Sequence, residues 1–255
     1  MSSKKVSGCG CGFGHRRTCF GAGADTFIFA GTGGLTSADT VTGGAGTDVI
    51  SLDASAAVTA NLTGVRTVEQ VTTTGNGGNV IITVGSASTI ASTGTLTTNA
   101  SSVTNGTNTL SYTGSAVTGT ASTQNVTGTA GNDTIIGGSS IDIFTGGDGN
   151  DSLTGGVGID NLSGGNGADI FAVTAAAEFT GLTSAETISG GSGNDTLQFA
   201  AGTGAVVAAS DLTGLTSVES ITTLDTTGNF SVTLTDGFYT ADGVTAFTID
   251  ATTVT

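Results

Sequence analysis

Between Gly128 and Ala172 the chain repeats itself every nine residues, five times in register: GTAGNDTII, GGSSIDIFT, GGDGNDSLT, GGVGIDNLS and GGNGADIFA. An aspartate holds the sixth place of each unit (Asp133, Asp142, Asp151, Asp160, Asp169) and a large apolar residue the eighth (Ile135, Phe144, Leu153, Leu162, Phe171). The apolar residue stands between polar or small neighbours, the period-two pattern of a short half-buried strand. The six residues before it, GGxGxD, are turn formers, and glycine there tolerates positive φ and lets the backbone approach an ion closely. A strand plus a turn makes half a coil. Two units of nine therefore close one circuit, and each unit stacks on the unit two along.

That stacking puts Asp133, Asp151 and Asp169 in one column, and Asp142 and Asp160 in the opposite one. Rungs of a parallel sheet lie roughly 4.8 Å apart, and two calcium–oxygen bonds of about 2.4 Å span that gap. Without a cation, carboxylates stacked at this spacing repel by ~1 kcal/mol in water, and by more where solvent is partly excluded. Aspartate supplies hard oxygen ligands, and glycine-turn carbonyls complete the shell. No Cys or His lies nearby to favour zinc or copper. The pattern predicts several calcium ions between successive coils. Two units depart from it: Thr129 replaces a leading glycine and Ser140 the second-half glycine. Their aspartates are the weaker candidate ligands.

Composition fits a chain that needs such ions. Glycine makes up 44 of 255 residues and proline is absent, so folding costs much backbone entropy with few large side chains to bury. Metal binding is then expected to be coupled to folding. The formal net charge is −15, and beyond position 20 Arg66 is the only basic residue facing twenty acidic ones. That argues against nucleic acid as a partner and against adhesion to anionic lipid. No apolar run approaches membrane-spanning length, so no membrane insertion is expected.

Five regions are expected. Residues 1–20 read as a flexible or non-native leader. They are basic, lack the apolar stretch of a secretory signal, and hold Cys9, Cys11, His15 and Cys19 at gaps one residue short of a usual zinc knuckle. Residues 21–84 form a first partial calcium-type module, with Asp25 and Asp48 in its turns. Residues 85–127 are Thr/Ser/Gly-rich β-coils or a linker, and 70–132 carries no charged side chain. Residues 128–199 are the calcium-binding roll, reaching Asp195. Residues 200–255 are a calcium-poor β-region, either further coils or a separate sandwich. A longer duplication encloses the roll, pairing Asp25 with Asp169, Asp39 with Glu186, Asp48 with Asp195 and Glu69 with Glu219. Phe27, Phe144, Phe171 and Phe199 fall at inward strand positions and read as core. Tyr112 and Tyr239 stand isolated and suggest no role.

The run 128–172 resembles the RTX family of secreted bacterial proteins, whose nonapeptide GGxGxDxUx builds a calcium-loaded parallel β-roll. The resemblance implies an all-β fold, a right-handed parallel β-roll or β-solenoid with calcium-binding glycine-rich turns. It implies that Asp133 shares an ion with Asp151, Asp142 with Asp160, and Asp151 with Asp169. Gly146, Gly155 and Gly164 and the later turn glycines Gly149, Gly158 and Gly167 would lend carbonyls. The flanking pattern "TSAETISGGSGNDTLQF … LTGLTSVESI" looks like that of bacterial surface-layer and adhesin-type proteins carrying such segments. Type I export through an uncleaved C-terminal signal is implied too, although the ending FTIDATTVT is too generic to mark one.

These readings favour a non-catalytic, calcium-dependent structural module at the bacterial cell surface, outside the cell. Self-association or cell-surface polysaccharide are its candidate partners besides calcium. The alternative is the export and folding segment of a larger type I-secreted enzyme or toxin. No HExxH, GxSxG or nucleophile–base pair stands in these residues, so the chain is not expected to be an enzyme. An ice- or glycan-binding threonine face ranks low, because the threonines of 70–127 keep no fixed coil period.

Overall fold

The computed structural model describes residues 5–6, 17–19, 21–30, 34–85, 94–117, 122–174, 187–200, 206–207, 212, 214–224, 231–232 and 248–250. Every strand pairing in it is parallel, and no α-helix occurs among the described residues. Two sheets run the length of the stack, one of ten strands and one of nine, each taking one strand from nearly every coil. The molecule is a parallel β-solenoid.

Register follows the apolar position. In the ten-stranded sheet Val126 lies beside Phe144, Phe144 beside Leu162 and Leu162 beside Ile188. In the facing sheet Tyr112 lies beside Ile135, then Leu153, Phe171 and Leu197 follow. Each strand turns one or two side chains inward, and together these files make a single core. A fully buried side chain of this size contributes about 1.5–3 kcal/mol. One residue per strand thus supplies most of what a glycine-rich coil has to offset its chain entropy. Phe27, Phe144, Phe171 and Phe199 are all in that core. Tyr112 is there as well and is fully buried, so its isolation in the sequence is no guide to its place.

Coils in the nonapeptide run advance by eighteen residues, as from Phe144 to Leu162. Elsewhere they are longer: Thr98 pairs with Val126 and Ile82 with Tyr112. The segment around 94–117 nevertheless stacks in the same two sheets. Ser220–Thr223 and Thr248–Asp250 extend the nine-stranded sheet. Lys5–Val6 pairs with Thr26–Ala30, and Arg17–Cys19 with Thr40–Thr42, so the basic N-terminal segment adds two short strands to the stack. Cys9, Cys11, His15, Glu186, Tyr239 and the ending FTIDATTVT, apart from the Thr248–Asp250 strand backbone, lie outside the described residues.

The duplicated modules occupy different faces. In the first, Thr26–Ala30, Val49–Asp53 and Gln70–Thr74 lie in the ten-stranded sheet, while Thr40–Thr42 and Val65–Arg66 belong to a separate three-stranded one. In the second, Ile170–Val173, Thr196–Phe199 and Ser220–Thr223 lie in the nine-stranded sheet, and Thr187–Ser192 and Leu215–Thr216 in the ten-stranded one. The same local sequence has been carried one face around the solenoid. Turn chemistry is therefore set within each module, and its position around the axis by the lengths of the coils between.

Candidate metal centre

The turn aspartates form ladders. The backbone N–H of Asp133 donates to Asp151 Oδ1 at 2.8 Å, that of Asp142 to Asp160 Oδ1 at 2.9 Å, and that of Asp151 to Asp169 Oδ1 at 2.8 Å. The column continues from Asp169 N–H to Asp195 Oδ1 and from Asp195 N–H to Glu219 Oε2, both 2.8 Å. The first module repeats it, with Asp25 N–H on Asp48 Oδ1 at 2.9 Å and Asp48 N–H on Glu69 Oε2 at 2.7 Å. Aspartates two units apart are thus linked through one carboxylate oxygen and a backbone amide.

The second oxygen divides the units into two kinds. Oδ2 of Asp48, Asp151, Asp160, Asp169 and Asp195 is buried with no hydrogen-bond partner. These five close the intact hexapeptides GGAGTD, GGDGND, GGVGID, GGNGAD and GGSGND. In the two imperfect units Oδ2 is satisfied from within: Thr129 N–H donates to Asp133 at 2.6 Å and Gly138 N–H to Asp142 at 3.0 Å. Both donors are second residues of their units. In all five intact turns the second glycine has positive φ (Gly44 109°, Gly147 123°, Gly156 100°, Gly165 118°, Gly191 108°). Thr129 and Gly138 do not. Left-handed backbone at this place goes with a bare carboxylate oxygen, and ordinary backbone with an amide aimed at it.

The space beside each bare oxygen is lined with oxygen. A Cβ on Gly146 would meet Asp151 Oδ2 and the Gly164 carbonyl; one on Gly164 would meet Asp169 Oδ2 and the Gly190 carbonyl. A Cβ on Gly155 would meet the Asp160 carboxylate, Oδ2 first. At the fourth turn position, a Cβ on Gly149, Gly158 or Gly167 would strike the carbonyl of Gly131, Ser140 or Gly149 in the preceding coil. Among the described residues no three acidic, His or Cys side chains converge. A cation in these turns would therefore draw on one bare carboxylate oxygen and several carbonyls. An all-oxygen set of that kind suits calcium.

A buried carboxylate oxygen with no donor is costly unless a proton or a cation neutralises it. Burial pushes the Asp151 carboxyl up to about 7, against the pull of the Asp133 N–H and helped by the charges of Asp133, Asp169 and Asp148. Burial raises Asp195 to about 6, where the Asp169 N–H opposes it and the Asp169 and Glu219 charges add to it. Asp169 and Asp133 shift upward for the same leading reason.

Asp142 takes part in something the repeat pattern does not announce. Its Oδ1 accepts from Gln124 Nε2 at 2.9 Å and from Ser140 Oγ at 2.8 Å, and Gln124 Oε1 accepts the Tyr112 hydroxyl at 2.8 Å. Gln124 lies opposite Asp142 in register. It fills the aspartate place of a degenerate unit, GTASTQNVT, directly before the run. Burial raises Asp142 to about 6 despite the hydrogen bonds from Gly138, Ser140 and Gln124. Counting back nine residues from Asp133 would have found Gln124. Nothing in the sequence marks Tyr112 as its partner.

Stacked coils with one core file per sheet, edged by acidic glycine turns, define a parallel β-roll. The family model described as the RTX calcium-binding nonapeptide repeat (4 copies) matches five stretches of the chain, residues 34–56, 118–153, 127–162, 145–173 and 180–203. That repeat is a calcium-binding, non-catalytic module typical of secreted proteins. No curated protein and no solved structure matches the chain. Among the described residues no helix is long and apolar enough to cross a membrane.

Proposed function

We propose that this chain is a non-catalytic structural module of a bacterial cell-surface protein, of surface-layer or adhesin type, that folds on binding calcium outside the cell after type I export. The observation that carries the reading is the set of five buried, unpartnered Oδ2 atoms, one per intact turn. Asp48, Asp151, Asp160, Asp169 and Asp195 are the side-chain ligands, with carbonyls of the stacked glycine turns, including Gly164 and Gly190, beside them. Asp133 and Asp142 hold the ladder without binding an ion, and Asp25 begins the first column. Residues 128–199 are the principal calcium-bearing segment and 21–84 a second one.

Extracellular calcium modules are tuned to dissociation constants of about 10⁻⁴–10⁻³ M. An ion at ten times its dissociation constant adds about 1.4 kcal/mol per site. Five such sites would supply a large share of the stability of a glycine-rich chain. Circular dichroism of the full chain should show a weak β-signal lost at low urea in chelator and a strong one once millimolar calcium is restored. Identical spectra in both would overturn the mechanism.

A further inference from the structure

The intact turns at 43–48 and 190–195 do not stack on another glycine loop on their C-terminal side. Thr42 pairs with Arg66 and Val49 with Gln70, so the six residues 43–48 lie over a corner of only three, Thr67-Val68-Glu69. In the second module the turn 190–195 lies over Ser217-Val218-Glu219. Thr67 and Ser217 are the only non-glycine residues with positive φ among those described, at 47° and 50°. Left-handed backbone at its first residue lets the chain turn in three residues where the glycine loop uses six. It also brings a carbonyl to the site. A Cβ on Gly43 would meet both Asp48 Oδ2 and the Thr67 carbonyl, and one on Gly190 both Asp195 Oδ2 and the Ser217 carbonyl. Asp48 and Asp195 are fully buried and their Oδ2 atoms have no partner. Glu69 and Glu219 bring a second carboxylate to each corner, bonded to the N–H of that aspartate.

We infer that each corner completes a closing calcium site of a second type, made from an intact glycine turn and a Thr/Ser-Val-Glu corner. Asp48 Oδ2 and the Thr67 carbonyl are ligands in the first, Asp195 Oδ2 and the Ser217 carbonyl in the second. Glu69 and Glu219 add the charge that a following aspartate turn supplies elsewhere. The inference rests on the calcium reading above but adds Thr67, Glu69, Ser217 and Glu219, which lie outside the matched repeats around Asp48 and Asp195, ending at 56 and 203. A corner of this kind ends a column of loops while still giving the bare oxygen of its last rung an ion to hold.

The test is calcium titration of the full chain by calorimetry, comparing wild type with the Glu69→Gln, Glu219→Gln double variant. Glutamine keeps an oxygen to accept the aspartate N–H and removes only the charge. Two ions should weaken by roughly tenfold to hundredfold while the others stay unchanged. Unchanged affinity for every ion would overturn the inference, whereas a wild type that binds no calcium would overturn the calcium reading itself. Should the variant fail to fold, anomalous scattering from crystals of the unaltered chain grown in calcium decides the matter. Peaks between Asp48 and Thr67 and between Asp195 and Ser217 support the closing sites, and their absence beside occupied central turns rejects them.

Discussion

The first two units of the nonapeptide run and the three that follow share coil length, sheets and ladder, yet they differ at one atom. In units 128–136 and 137–145 the carboxylate closes on its own turn, through Thr129 N–H and Gly138 N–H. In the units from Gly146 onward the same oxygen is left bare. Stacking therefore does not require a metal-ready turn. The ladder bond through Oδ1 is common to both kinds, and the backbone at the second residue decides what the other oxygen does. The uncharged coils make the point from the other side. There Asn76 Oδ1 accepts Asn105 N–H at 2.7 Å and Asn79 Oδ1 accepts Thr109 N–H at 3.1 Å. Asparagine there links coils in the opposite sense, accepting from an amide later in the chain, and does so without charge.

The sharpest way to break this contrast is to delete one aspartate of each kind. Asp151→Ala should lower stability in calcium by about 3–5 kcal/mol. An ion at a hundred times its dissociation constant accounts for about 2.7 of that, and the abandoned Asp133 N–H for the rest. Most of the loss should vanish in chelator. Asp142→Ala should cost about 1–3 kcal/mol through Gln124 and Ser140 left without their acceptor, equally in calcium and in chelator. Matching calcium dependence of the two variants in urea titrations would erase the distinction.

Backbone substitution comes next in size. Gly147→Ala places a side chain at φ 123° with its Cβ about 2.5 Å from the Thr129 carbonyl. A loss of about 1–3 kcal/mol is expected, read as a lower thermal midpoint.

Acidity offers a further division. In chelator the raised carboxyls of Asp151 (about 7) and of Asp195 and Asp142 (about 6) bind protons more tightly in the folded chain than at the ordinary value of 3.8. The metal-free roll should therefore gain stability as pH falls from about 7 towards 4 and lose it as pH rises through the same window. With calcium present the ionised form of Asp151 and Asp195 is required, and the order reverses. Urea midpoints at pH 5 and pH 7.5, with and without calcium, measure both arms. The smallest effect belongs to the neutral coils: Asn79→Ala should cost about 0.5–1.5 kcal/mol, independent of calcium.

Much of this was legible in the residues. The period of nine predicts the two-unit stacking, the aspartate columns and the inward phenylalanines, because strand alternation and turn formers recur at fixed places. Thr129 and Ser140 flagged the two units whose turns close differently, although the reason lies in a backbone angle that letters do not show. The duplicated modules could be aligned, but not their displacement by one face, which depends on coil lengths summed along the chain. Gln124 sits in the period, as an uncharged stand-in for aspartate, but Tyr112 escaped because a buried hydrogen bond between coils leaves no periodic trace. Thr67 and Ser217 escaped for a related reason: each looks like any other polar residue until its φ is known.

Every ladder bond between the acidic turns runs the same way, with the amide earlier in the chain and the carboxylate later. A turn is consequently finished by chain that comes after it. Shorten the polypeptide from its far end and the last surviving rung shows a naked amide; shorten it from the near end and a carboxylate loses its donor. The two tips of such a rod are chemically unlike, and its assembly has a direction.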